Sequence, residues 1–336
     1  MIIPSTYAST LLLLILSMAC WGSWANTLKL TGNQWRFELF YFDYSAGVLL
    51  ASVIAAYTFG TMGADMTFQD RMLVAGHLKQ LYAVAGGVVF NLANMLLVAA
   101  INVAGMAVAF PVGIGLALII GVVWNYLIQP QGNPWLLFGG LILVVAAILV
   151  DARAHFARDA DKGNVAKKKP PALGITLSIV SGILMGVFYP IVEKGMGGYL
   201  GLGPYAAALL FAIGVFFSTF VFNIFFMNVP IQGEPIRLKR YFLGKPQWHF
   251  LGIAGGILWA IGAISNFVAA SAPAQVNVGP AISLAIGQCA TLVSVLWGLF
   301  AWKEFAGTSS KVKAMVSAML LLFAGGLTLL SLAPIV

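Results

Sequence analysis

The sequence predicts an all-α transmembrane fold of ten helices, arranged as two inverted five-helix repeats. Three observations predict it. Only 8% of the 336 residues are charged and 61% are hydrophobic, with a mean hydropathy of +0.95, whereas a soluble domain coats itself with roughly 25% charged residues. The charges gather in short stretches, and the apolar runs between them reach the length of about 20 residues that a helix needs to cross hydrocarbon. Fragments also recur at fixed spacing. Ala85-Gly86-Gly87 returns as Ala254-Gly255-Gly256 and Pro111 as Pro280, each 169 residues later, while Ser17 and Gly22 match Ser181 and Gly186. Five crossings per half make a duplicated half insert upside down, a plan that builds a site at the midplane.

In order, the spans read as 8–29, 43–61, 80–100, 104–127 and 135–151, then 172–193, 203–227, 249–271, 276–302 and 311–333. All must be helices, because lipid offers no partner to an unpaired backbone group and nothing alternates as a barrel strand would. The first run has no Lys or Arg before Lys29 and ends in Cys20-Trp21-Gly22-Ser23-Trp24, unlike a cleaved signal, so it reads as a span. Residues 1–151 form the first repeat and 172–336 the second. A polar basic linker, 152–171, containing Lys167-Lys168-Lys169, joins them. Short connections such as Gln129 to Pro134 make sequence neighbours antiparallel. Pro111 and Pro280 are expected to kink the fourth and ninth spans.

Fifteen of the 18 basic residues fall on the side of the central linker; only Arg71, Lys79 and Lys194 fall on the other. Basic loops stay in the cytoplasm, so the reading is a multi-pass cell-membrane protein with a cytoplasmic central loop and both termini outside. The net charge of +8 then belongs to topology and anionic lipid rather than to nucleic acid. Cys20 and Cys289 lie inside spans and read as small buried residues. His77, His155 and His249 are too scattered to bind a metal, and no cofactor is implied. There is no phosphate loop for an ATP-driven pump, no intramembrane nucleophile beside a base for an enzyme, and no carbonyl filter or charged ring for a channel.

Polar groups deep in lipid carry the remaining information, since burying one unpaired costs several kcal/mol. Asn91 and Asn94, three apart, share one face of the third span, where they either tie helices together or line a solute cavity. Trp21, Trp24, Tyr189 and Trp259 lie near mid-depth, away from the interfacial belts, and can stack on a planar solute or pack the core. Phe90 matches Trp259 by the repeat spacing. Gln288 and Asn266 complete a neutral polar set, while Gln275 and Asn277 read as caps. Asp43 and Glu193, at span ends, are the carboxylates placed to couple transport to protons. Glu193 can instead pair with Lys194.

The stretch Cys20-Trp21-Gly22-Ser23-Trp24, with Phe42-Asp43-Tyr44-Ser45, Thr58-Phe59-Gly60, Ala85 to Asn94 (AGGVVFNLAN) and Asn125-Tyr126, resembles the ureide permeases of the drug/metabolite transporter superfamily. The resemblance covers most of the first 150 residues and the second half more loosely. It implies a ten-helix, two-repeat secondary transporter of a small neutral nitrogenous solute such as allantoin or uracil, with a proton as optional co-substrate. Sister branches carry sugars such as glucose, ribose or rhamnose. The departure is Glu193-Lys194 after Phe188-Tyr189-Pro190, where similar permeases have uncharged polar residues. On the residues alone, amides and aromatics suit a sugar as well as a ureide or nucleobase. A non-transporting receptor or scaffold remains as the reading from another class.

Overall fold

The computed structural model describes residues 1–32, 35–161, 172–198, 200–230 and 234–335. The basic tip of the predicted linker lies outside them. Among the described residues, ten helices are long and apolar enough to cross a membrane. The first span is α1 (Tyr7–Ser23) continued by α2 (Ala25–Leu30). Then follow α3 (Phe37–Tyr57), a short α4 (Phe68–Val74), α5 (His77–Ala104), α6 (Met106–Ile128) and α7 (Pro134–Asp161). The second half holds α8 (Ala172–Met196), α9 (Gly203–Asn228), a single turn α10 (Lys239–Phe242), α11 (Pro246–Ala270), α12 (Gly279–Gln288), α13 (Ala290–Leu296) and α14 (Ser310–Leu332).

Several boundaries have local causes. Helix α3 begins six residues before the predicted start at 43. Arg36, just ahead of it, pairs with Glu38 and donates to the Glu234 carbonyl at 2.8 Å, so charged residues are held at the helix entrance. Helix α5 stops at Gly105, whose φ of +82° is open to glycine and strained for other residues. Helix α7 runs ten residues past the predicted end at Asp151. Asp151 and His155, one turn apart, approach to 3.5 Å, and Arg158 reaches Glu304 at 3.2 Å. The predicted kink at Pro280 is corrected. Pro280 sits in the first turn of α12, where its missing N–H costs nothing. The ninth span breaks instead at Cys289, and a π-helical turn, Trp297–Ala301, follows α13.

The chain forms two compact units, and each draws on both sequence halves. One unit holds Met1–Leu92 with Phe188–Val278; the other holds Ala93–Val187 with Gly279–Val336. Within the first, two helix crossings bring backbones together at glycines. A Cβ on Gly47 of α3 would collide with the Ile253 carbonyl of α11, and one on Gly256 with the Tyr44 carbonyl of α3. The crossing of α5 with α9 repeats this register. Gly214 meets the Val84 carbonyl and Gly87 the Phe211 carbonyl. The pairs correspond by constant shifts: Val84 to Ile253 and Gly87 to Gly256 are 169 apart, Gly47 to Gly214 and Tyr44 to Phe211 are 167 apart.

The second unit has its own reciprocal contact, between α7 and α14. A Cβ on Gly140 would meet the Gly326 oxygen at 3.0 Å, and one on Gly326 the Gly140 oxygen at 3.1 Å. Small residues let helices without a hydrophobic drive between them pack backbone to backbone.

Candidate functional site

Six of the eight residues singled out as solute-binding candidates gather in the first unit. Trp21, near the end of α1, donates its indole N–H to the Trp259 carbonyl at 3.2 Å. The two rings are stacked, with centroids 6.0 Å apart and planes at 20°. Trp259 is buried on α11 and meets Phe90 at 4.4 Å and Phe211 at 5.7 Å. Phe90 and Trp259, matched by the repeat spacing, are thus direct neighbours. Trp24, at the junction of α1 and α2, is half-buried and lies 4.9 Å from Tyr44. The result is a continuous aromatic layer built from α1, α3, α5, α9 and α11.

Polar groups adjoin this layer. Tyr189 donates its hydroxyl to the Asn266 side-chain oxygen at 2.7 Å, and Asn266 reaches the Ser17 hydroxyl at 3.4 Å, so α8, α11 and α1 are linked. Asn91 is fully buried. Its amide nitrogen donates to Ser218 Oγ at 2.7 Å, and to the Val215 carbonyl and Thr219 Oγ1 at 3.2 Å. Its amide oxygen, also buried, has no hydrogen-bond partner among the described residues. Most buried polar atoms are partnered, so an orphan is informative.

Asn94 and Gln288 belong to the second unit, so the boundary between the units falls between the two asparagines of α5. Gln288 closes α12 at the break before Cys289 and is half-buried.

The two carboxylates differ. Asp43 is buried with both oxygens engaged. Tyr241 donates its hydroxyl to one at 2.5 Å, and His249 Nδ1 lies 2.8 Å from the other. Burial, then the hydrogen bond to the Asp43 carboxylate, hold the Tyr241 phenol well above the usual tyrosine range. Trp35 packs against both partners, 6.3 Å from Tyr241 and 5.2 Å from His249. Glu193, on α8 one turn beyond Tyr189, is buried with one carboxylate oxygen unpartnered among the described residues. Lys79 donates to the Lys194 and Gly197 carbonyls at 2.8 and 2.7 Å, whereas the Lys194 ammonium sits over the Tyr82 ring at 6.0 Å.

Tyr44, His249, Tyr241 and Lys79 were not anticipated as site residues. His249 carried a usable signal. Asp43 and His249 are each the first residue of a predicted span on the same expected side, which already allowed them to meet.

The ureide permease family model matches residues 40–172. Ureide permease 1 of Arabidopsis thaliana is 23% identical, over 92% of this chain and 93% of its own length. The chain is thus similar to the ureide permeases over nearly its whole length. Ureide permease 5 of the same plant is 22% identical, over 93% of this chain and 91% of its own. Transmembrane protein 144 homolog B of Dictyostelium discoideum is 27% identical over 51% of this chain and 45% of its own. A solved crystal structure superposes with a TM-score of 0.64 at 15% identity, covering 97% of this chain and 96% of that one. It shares the fold. With ten apolar helices among the described residues and permease relatives, the chain is a multi-pass membrane protein.

Proposed function

We propose that the protein is a secondary transporter that moves a small neutral polar solute of the ureide or nucleobase type by alternating access. The observation that carries this reading is the buried amide oxygen of Asn91, without a partner among the described residues, beside an aromatic layer of Trp21, Phe90 and Trp259. A planar solute stacks on aromatic faces and offers N–H groups that such an oxygen accepts. The names of the relatives support the solute class. Trp24, Tyr189 and Asn266, in the same unit, complete the proposed binding set.

We read the matched glycine contacts as supporting two inverted repeats, 1–151 and 172–336, joined by the linker 152–171. Such repeats rock so that a central site opens to one side at a time. The basic bias supports a cytoplasmic linker with both termini outside. Proton coupling falls more naturally on Glu193 than on Asp43, because a carboxylate with a free oxygen can take up a proton without breaking an existing bond.

The test is uptake by proteoliposomes of labelled allantoin, uracil, glucose, ribose and rhamnose, with and without an imposed pH gradient. Allantoin or uracil should enter, and Asn91→Ala and Trp259→Ala should each raise KM or abolish uptake in correctly inserted protein. Sugar uptake alone would transfer the protein to a sugar-porter reading. No flux of any solute would favour a receptor or scaffold.

A further inference from the structure

Tyr44 lies about two turns into α3, with no exposed surface. Its ring is enclosed by aromatics, with Tyr41 at 4.8 Å, Trp24 at 4.9 Å, Phe40 at 6.4 Å and Trp259 at 6.5 Å. Its hydroxyl has no hydrogen-bond partner among the described residues. A hydroxyl buried in that way costs stability that a phenylalanine would not.

The fold supplies an internal control. Phe211 on α9 stands in the same register, its carbonyl pressed by Gly87 as that of Tyr44 is by Gly256. Phe211 is as buried and equally enclosed by rings, Trp259 among them. Packing at this register therefore requires an aromatic ring and no oxygen. The hydroxyl of Tyr44 is the one addition, carried on a ring 4.9 Å from that of the half-buried Trp24.

We propose that the Tyr44 hydroxyl hydrogen-bonds the transported solute and helps set which solutes the protein accepts. The proposal rests on the transport reading above. A phenol both donates and accepts, so it fits the mixed N–H and C=O edge of a neutral cyclic amide. A site built to bond such an edge discriminates strongly against analogues that lack it, because the site's own polar group is then left unpaired.

The experiment compares wild-type protein and Tyr44→Phe in proteoliposomes with labelled uracil and allantoin, followed by uracil analogues lacking one ring oxygen. Thermal unfolding without solute is measured in parallel. The expected result is a KM raised about ten-fold at nearly unchanged Vmax, with a melting temperature equal to or above that of wild type. One analogue should lose less than uracil does, because its bond to the hydroxyl is already absent. An unchanged KM in a variant that still transports overturns the proposal and leaves the transport reading intact. So does an equal loss for uracil and every analogue, which would mark a packing effect. Wild-type protein that carries neither solute overturns the transport reading, and this proposal with it.

Discussion

Asp43 and Glu193 are both buried acids at the ends of membrane helices, and from sequence they were interchangeable candidates. The structure separates them by what their oxygens do. Asp43 has a phenol on one oxygen and an imidazole on the other, and those partners come from α10 and α11. It ties the turn between two spans to α3. Glu193 keeps one oxygen without a hydrogen-bond partner among the described residues, and the nearby chain is held by Lys79, whose ammonium serves the Lys194 and Gly197 carbonyls. A buried acid with every valence met is a tether. One with a valence free is available for exchange.

Substitutions can break this contrast. The largest effect is expected from Glu193→Gln, which should reduce the stimulation of uptake by an inward proton gradient to a ratio of about one while leaving the protein folded, since the amide replaces a charge that was costly to bury. Stimulation that survives in Glu193→Gln and disappears in Asp43→Asn would reverse the assignment. Next comes Asp43→Asn, expected to cost about 2–3 kcal/mol of unfolding free energy, because a buried charged acceptor for two donors is lost. Denaturation in detergent would measure it, with the response to the gradient kept. Tyr241→Phe removes only one of the two bonds and should cost about 1 kcal/mol.

The smallest effect concerns pH. With its phenol held above the usual value near 10, Tyr241 favours its protonated form more in the folded state than in the unfolded one. Its contribution is therefore complete below about pH 10 and declines as alkalinity rises beyond that. Unfolding midpoints measured across the alkaline range should fall in wild type and fall less steeply in Tyr241→Phe.

The architecture was readable because lipid leaves a chain few choices. Charge-free runs of sufficient length must be helices, and ten were expected where ten are found among the described residues. The fine structure was not readable, because a run of uniform hydropathy hides its interruptions. The break at Trp24, the break at Cys289 and the π-helical turn after Leu296 leave no mark in composition. Proline misled at position 280, where it opens a helix and does not bend one.

At the candidate site, Trp21 and Trp259 stood out because indoles are rarely found at mid-depth, and the repeat spacing matched Phe90 to Trp259, whereas the stacking of Trp21 on Trp259 had no mark in the sequence. Tyr44 did not stand out. A second span read from residue 43 puts it one residue inside the span's end, where a tyrosine is ordinary. Only the earlier start of α3, at Phe37, carries it into the interior. Asn91 and Asn94 share a helix face, but sequence gives no sign that the boundary between compact units passes between them.

The glycine crossings have a mechanical consequence. Where α3 meets α11 and α5 meets α9, main chain rests on main chain with no side chain between to flex or change rotamer. Sliding such helices past each other would push carbonyls into carbonyls, so those joints resist shear far more than a contact cushioned by leucines. Motion between the two sequence halves therefore has to pivot about these crossings rather than slide along them.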